Sequence, residues 1–177
     1  MKMVRAIALT ATLSMPAVAH LNGNENEYSS TAKPIPVKDY AKVTTPNFEK
    51  GLIRHIVLFD LKDDVTDVEK QEIVNRFLAL RKSTRDGKQY IHNIEAGSQN
   101  SSREGQGKGY DLAFMVSFLS QSDLNYYVGT PAISSAQFYD KNHQKFKEFV
   151  GPYLKVEKNP GGKDKVGVLV FDYTVGF

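Results

Sequence analysis

The chain has 177 residues, of which 41% are hydrophobic and 24% are charged, a composition typical of a globular protein with room for one domain and additional segments. Its formal net charge is +3, and Lys2 and Arg5 supply two of the positive charges, so the rest lacks the basic excess of a nucleic-acid-binding protein. The absence of cysteine excludes disulfides, thiolate metal sites and cysteine nucleophiles.

Residues 1–19 have the three parts of a secretory signal peptide. A basic start is followed by a mostly apolar run from Ala6 to Met15, by Pro16, and by a small-x-small sequence that ends at Ala19. The run is shorter than the ~20 apolar residues that span a bilayer, and no later segment is apolar enough to do so. We expect cleavage after Ala19 and a periplasmic or secreted mature protein; the alternatives are a buried N-terminal helix and an uncleaved anchor.

Residues 20–50 contain few large apolar side chains, and Pro34, Pro36 and Pro46 favour extended chain over regular helix. We predict an extended or flexible leader here, which either packs along the domain or serves as a plain linker. The folded domain is predicted to span residues 51–177.

A first strand is predicted at residues 52–61, where both alternating faces are largely apolar, as in a central strand. One of these faces carries His55 among apolar neighbours. Thr66 and Glu69 form a capping box that opens an amphipathic helix, which should run to about residue 82.

Two further strands are predicted at residues 90–98 and 110–119, joined by a polar, glycine-rich loop. A short helix should follow at residues 120–128. After an interruption, a second helix is predicted from about residue 134 to residue 153. Its apolar stripe places five side chains on one face, namely Tyr139, His143, Phe146, Val150 and Tyr153. The last strand is predicted at residues 165–175, which are β-branched and aromatic.

The predicted order is strand, helix, strand, strand, helix, strand, which is the ferredoxin-like βαββαβ arrangement of an α+β domain. It packs helices on one face of a four-stranded antiparallel sheet. The opposite face also carries many apolar side chains and needs a cover. A second copy of the chain is the simplest cover, so the sequence predicts a homodimer.

Several motifs carry a resemblance to a known family. Residues 53–59 (IRHIVLF), 109–113 (GYDLA), 142–146 (NHQKF), 149–154 (FVGPYL) and 168–173 (VLVFDY) follow one another at suitable spacing. In this order they resemble the stress-responsive A/B barrel (Dabb) family. The resemblance covers about residues 51–177 and implies a dimeric α+β barrel, in which two sheets close against each other.

The resemblance also implies a candidate site. Cyclase members of the family use His and Tyr residues in a cleft between sheet and helices, and two of those positions are occupied here by His55 and His143. The family's third-strand His position falls near Asp111 or Leu112, and its first-helix Tyr position falls near Phe77. Relative to the family's single helix, this chain also has an apparent insertion near residues 129–138.

The expected cleft combines polar and apolar side chains from the first strand and the last helix, namely His55, Val57, Phe59, Tyr139, His143 and Phe146. Neutral imidazoles can accept or give a proton near pH 7, so His55, His143 and Tyr139 are the candidate catalytic residues. Alternatively, the two histidines are hydrogen-bonded residues that fix helix to sheet. The other aromatic residues, including Tyr127, are assigned to the core. No metal-ligand spacing or cofactor motif is found.

Two functions remain open at this point. The first is a homodimeric stress-related module that binds a small apolar or aromatic ligand. The second is an acid–base enzyme, such as a cyclase, lyase or isomerase of a keto compound, that uses His55 and His143.

Overall fold

The computed structural model describes residues 34–101 and 103–176, and the predicted signal peptide with its cleavage site at Ala19 lies outside them. Four antiparallel strands form one sheet in the order β2-β3-β1-β4; they are β1 (Lys50–Phe59), β2 (Asn93–Ser98), β3 (Leu112–Ser120) and β4 (Val168–Thr174). The helices are α1 (Tyr40–Val43), α2 (Asp67–Ala79), α3 (Gln121–Val128) and α4 (Lys141–Val150). The ferredoxin-like α+β fold is therefore confirmed.

Short elements complete the chain. Leu80–Lys82 and Gly151–Tyr153 are 3-10 turns that extend α2 and α4. Two small two-stranded ribbons, Thr84–Arg85 with Lys88–Gln89 and Val156–Glu157 with Lys165–Val166, flank the sheet. No helix within residues 34–101 and 103–176 has the length and apolar character needed to span a bilayer.

The core lies between the sheet and the helices. Alternate residues of β1 from Ile53 to Phe59 are buried, because side chains on a strand alternate between its faces. Phe77 of α2 stacks on Phe114 of β3, with ring centroids 3.9 Å apart, and meets Phe146 of α4 edge-on. This aromatic cluster fixes both long helices to the same face of the sheet.

The predicted capping box is present: the hydroxyl of Thr66 accepts from the backbone N–H of Glu69, whose carboxylate accepts from the backbone N–H of Thr66. Helix α4, however, begins at Lys141 and not near residue 134 as predicted. The carboxylate of Asp140 accepts from the N–H groups of Asn142 and His143, which makes Asp140 the N-cap. Tyr139 therefore precedes the helix, and its predicted place on the helical stripe is wrong.

A long-range contact holds this cap in place. The hydroxyl of Tyr90 donates to Asp140 at 2.5 Å, across 50 residues of sequence. Burial raises the pKa of Tyr90 far above its usual value, and the neighbouring carboxylate raises it further. The strand predicted at residues 90–98 accordingly begins only at Asn93, since Tyr90 serves this contact instead of the sheet.

The described part of the predicted leader contains local structure of its own. Val37–Asp39 forms a 3-10 turn that leads into α1, where Tyr40 is buried. The carbonyls of Phe48 and Glu49 accept from the N–H groups of Ser122 and Gln121, so this segment satisfies two donors at the start of α3. Residues 35–48 therefore pack on the domain and do not form an extended linker.

The sheet has a second face, turned away from the helices, which we call the outer face. The strand register defines it as three rows of four residues: Tyr173, Arg54, Ser117 and Asn93; Phe171, Ile56, Met115 and Glu95; and Leu169, Leu58, Ala113 and Gly97. Phe171 is 59% exposed, and Leu169 and Tyr173 are each 39% exposed. A protomer on its own thus leaves large apolar side chains of this face in water.

Candidate functional site

His55 lies on the helix-facing side of β1, and its partner across the sheet is Asp172 of β4. Its Nδ1 atom is 2.6 Å from Oδ1 of Asp172. A carboxylate can only accept, so Nδ1 carries a proton, and in the neutral form of the ring the lone pair lies on Nε2. His55 is buried, whereas the Asp172 side chain is 40% exposed. The pair therefore reaches from the core to the edge of the sheet.

His143 lies in the first turn of α4 and is also buried. Its Nδ1 atom donates to the backbone carbonyl of Tyr127 at 2.6 Å, which again leaves the lone pair on Nε2. Burial lowers the pKa of His143 to about 3. The hydrogen bond to Tyr127 opposes this shift in part, and the charge of Lys147 adds to it. His143 is therefore a neutral base at physiological pH.

Tyr127 joins the two histidines. Its ring stacks on the imidazole of His143 with centroids 3.7 Å apart and meets His55 edge-on at 5.5 Å. The side chain is fully buried, and among the described residues its hydroxyl has no hydrogen-bond partner. Burial raises the pKa of Tyr127 well above its usual value, so the hydroxyl keeps its proton and can act as a donor.

The sequence did not single out Tyr127, which was assigned to the core. A signal was present, because Leu124 and Tyr127 are three residues apart on α3 and face the sheet together. A tyrosine whose hydroxyl is buried normally finds a partner, so the polar end of this side chain is its informative feature.

Of the other predicted site residues, three lie in the core and one lies in the loop before α4. Val57 and Phe59 are buried beneath the helices, and Phe146 stacks on Phe59 with centroids 6.3 Å apart. Tyr139 packs against Gly129, where any Cβ would lie 2.8 Å from the Cβ of Tyr139. Among the described residues, no hydrogen bond or ring contact joins Tyr139 to either histidine. The structure therefore brings together His55, His143 and Tyr127, but not Tyr139.

The cluster combines acceptors with a donor. In the described part of the chain, no hydrogen bond is made by Nε2 of His55, by Nε2 of His143 or by the hydroxyl of Tyr127. Two lone pairs and one O–H group thus have no hydrogen-bond partner among the described residues. No group of three or more potential metal ligands occurs within residues 34–101 and 103–176.

The sheet beside the cluster is exposed at the edge strand β4. Val170 and Asp172 lie on the helix-facing side of β4, opposite Val57 and His55, yet Val170 is 51% exposed. The helices therefore leave this strip of the sheet uncovered. Two open pockets of about 250 Å³ and 330 Å³ lie elsewhere, beside β3 and between α2 and β2, and are not lined by either histidine.

Comparisons with known proteins agree with this architecture. Residues 53–175 match the family model described as the stress responsive A/B barrel domain. The fold is similar to that of hydroxynitrile lyase from Passiflora edulis, with a TM-score of 0.50, 17% identity, and coverage of 72% of this chain and 95% of that chain. It is also similar to the Arabidopsis thaliana protein At3g17210, with a TM-score of 0.50, 19% identity, and coverage of 71% and 96% respectively. No curated protein matches the sequence significantly.

Proposed function

The chain belongs to the stress-responsive A/B barrel domain family, and from this premise we propose that it is an exported homodimeric module that binds a small molecule beside His55, Tyr127 and His143. Export rests on the signal-like sequence of residues 1–19, and a mature protein that still begins at Met1 would contradict it. The ligand site and the dimer rest on separate observations.

One observation carries the ligand site: the buried hydroxyl of Tyr127, whose ring contacts both histidines, has no hydrogen-bond partner among the described residues. If the histidines served only to fix a helix to the sheet, no unsatisfied tyrosine hydroxyl would be needed beside them. Buried polar groups without partners are unfavourable and uncommon, and they concentrate where a ligand or an ordered water completes them. The surrounding aromatic rings favour a ligand with a flat apolar body.

The hydrogen-bond donor and acceptors of the cluster restrict the class of ligand that it can bind. The Tyr127 hydroxyl can donate to a carbonyl oxygen, and the Nε2 lone pairs can accept from a hydroxyl group. A small aromatic ketone with a phenolic hydroxyl offers both groups on one flat frame. It would enter beside Val170 and Asp172, where the helices leave β4 uncovered.

The test compares two adjacent tyrosines of α3. We expect 4-hydroxyacetophenone to raise the melting temperature of the wild-type protein saturably, as a ligand of the native state does. Tyr127→Phe should abolish this rise while the unliganded protein keeps or gains stability, because the substitution removes a buried hydroxyl that has no partner. The measurement is differential scanning fluorimetry across a ligand titration.

Tyr126→Phe is the matched control, since Tyr126 is the half-buried neighbour on the same helix and should leave the ligand-induced rise intact. A panel of phenolic ketones without effect on the wild-type protein would refute the ligand site. A rise that persists in Tyr127→Phe would refute the role of its hydroxyl.

A second candidate function, an acid–base enzyme acting on a keto compound, is favoured by the short contact between His55 and Asp172. A carboxylate on Nδ1 holds the imidazole in one tautomer and stabilises the imidazolium that forms when Nε2 takes a proton. His55 would remove a proton from the carbon beside a carbonyl, while Tyr127 donates a hydrogen bond to the oxygen that gains negative charge. One protein of similar fold is described as a hydroxynitrile lyase, and the similarity between the two chains is one of fold.

Proton abstraction can be measured directly. In D₂O, the protein should accelerate exchange of the methyl protons of 4-hydroxyacetophenone, followed by NMR. Asp172→Asn should lower this rate by ~10²- to 10⁴-fold, because general base catalysis is worth about that much. Asp164→Asn is the control and should have no effect, because Asp164 lies in the connection between Val156–Glu157 and Lys165–Val166, where it pairs with Lys158. Wild-type exchange no faster than in buffer would remove the enzyme hypothesis.

A further inference from the structure

The end of α2, the ribbon that follows it and the start of α4 together carry a group of exposed cations, which we call the basic surface. Its five members are Arg81, Lys82, Lys88, Lys141 and Lys145. Among the described residues none of these five forms an ion pair, whereas six other Lys and Arg side chains do. Two exposed carboxylates, Asp86 and Glu148, lie on the same segments, so the five cations leave a local charge of +3.

Hydrogen bonds between the three segments make the basic surface continuous. The side-chain amide of Asn142 donates to the hydroxyl of Ser83 at 3.2 Å, which sets the first turn of α4 beside the end of α2. The side-chain amide of Gln89 donates to the carbonyl of Arg81 at 3.4 Å, which sets the ribbon beside the same end. Lys145 lies one turn beyond the first residue of α4 and shares its face. The cations therefore form one patch.

The stability of the fold does not account for the cation at the start of α4. The N-terminus of a helix carries partial positive charge, so Lys141 is unfavourable there, and the first turn holds no acidic residue. Asp140 caps this end, but its carboxylate is buried and accepts from backbone N–H groups and from Tyr90. Bringing Lys141 beside the cations that end α2 adds like-charge repulsion, which an external anion would relieve.

We propose that the basic surface docks the protein peripherally on a membrane whose surface is anionic. This inference goes beyond the proposed function and does not depend on the ligand site. Long, exposed lysine and arginine side chains suit a layer of phosphate headgroups, because mobile lipids need no fixed register with the protein. A single-stranded nucleic acid would call for aromatic rings on which bases stack. Among the described residues the exposed aromatic side chains are Phe171 and Tyr173, which lie on the outer face instead.

The expected attachment is reversible and sensitive to salt. Each Lys or Arg held near an anionic membrane strengthens binding by ~5-fold, so a local charge of +3 predicts a preference of ~10²-fold for anionic over neutral vesicles. Exposed charges are screened as ionic strength rises, and sodium chloride at about 0.5 M should release the protein. This surface lies on the ends of the helices and on the ribbon, so a partner on the outer face leaves it exposed.

Vesicle co-sedimentation at low ionic strength tests the proposal. The wild-type protein should bind phosphatidylcholine vesicles that contain about one third phosphatidylglycerol ~10²-fold more strongly than phosphatidylcholine alone. The variant Arg81→Gln/Lys82→Gln/Lys141→Gln should lose this preference, because it removes three of the five cations. Glutamine keeps a long side chain and a good helix propensity, so an unchanged circular dichroism spectrum is expected.

The matched control is Lys62→Gln/Lys108→Gln/Lys163→Gln, which removes the same charge from exposed lysines near the opposite end of the sheet, where β1 ends. It should bind anionic vesicles like the wild type. Residues 1–19 are identical in all three proteins, so the differences between them come from the substituted side chains.

Three results would overturn the proposal. A wild-type protein without preference for anionic vesicles removes the membrane as partner, and retention on heparin in that case would assign the basic surface to a polyanion. Equal loss of binding in both triple variants would mean that net charge matters and that the basic surface does not. Binding that survives about 0.5 M sodium chloride would mean that apolar contacts, and not these cations, hold the protein on the vesicle.

Discussion

Phe171→Asp is expected to convert the purified protein from a dimer into a monomer. Phe171 is 59% exposed in the protomer and lies across from Ile56 in the middle row of the outer face. Burying a phenylalanine contributes about 1.5–3 kcal/mol, and a two-fold interface counts every substitution twice. Buried aspartates at the same positions add a desolvation penalty. The dissociation constant should therefore rise by at least ~10³-fold, as measured by sedimentation equilibrium.

Because Phe171 is already largely exposed in the protomer, the variant should still fold, with an unchanged circular dichroism spectrum. Val68→Asp is the matched control: Val68 is 80% exposed on α2, away from the outer face, and its replacement should leave the dimer intact. A Phe171→Asp protein that remains dimeric would show that the outer face is not the interface. If Val68→Asp dissociated the dimer equally well, the interface would instead lie on the helix side of the protomer.

The fold could be predicted because it depends on local patterns. The two largely apolar faces of residues 52–61 identified β1 as a central strand, and the Thr66–Glu69 capping box fixed the start of α2 without any knowledge of tertiary structure. The motifs that suggested the stress-responsive A/B barrel family lie on the sheet strands and α4, and the family model matches the same region. Elements whose boundaries are set by nearby residues are accessible from sequence.

The start of α4 could not be predicted in this way. The spacing of Tyr139, His143 and Phe146 fits a helix whether or not Tyr139 belongs to it. The boundary is set by Asp140, whose carboxylate caps the helix and accepts from Tyr90, a residue 50 positions earlier in the chain. A contact over that distance leaves no periodic signal in the sequence.

The candidate site was accessible only in part. The period of β1 and the stripe of α4 placed the two histidines on apolar faces, and the family resemblance made them site candidates. The partner of His55 is Asp172, 117 residues later, and its identity depends on the register between β1 and β4. Sequence alternation assigns Asp172 to a face of its strand, but no local feature fixes the register. Tyr127 was assigned to the core because of its apolar ring. That its hydroxyl lacks a hydrogen-bond partner can be seen only in the folded chain.

Lowering the pH from 7.5 to 5 is expected to reduce the free energy of unfolding of the wild-type protein by about 2 kcal/mol more than that of His143→Gln. The pKa of His143 is about 3 in the folded protein, chiefly because the ring is buried, and near 6.5 in the unfolded chain. The unfolded chain therefore binds the proton first. Stability is lost as the pH falls below about 6.5, by roughly 1.4 kcal/mol per pH unit, until His143 titrates in the folded state.

Glutamine suits this comparison because it does not titrate and retains an N–H group for the carbonyl of Tyr127. Urea unfolding at each pH gives the free energies, at a protein concentration that keeps the association state constant. His92→Gln is the control: His92 is exposed, so its replacement should leave the wild-type pH dependence unchanged. Parallel curves for the wild type and His143→Gln would mean that His143 is solvated in the folded protein. The burial of His143 against Tyr127 would then be wrong, because an imidazole in water would keep its usual pKa.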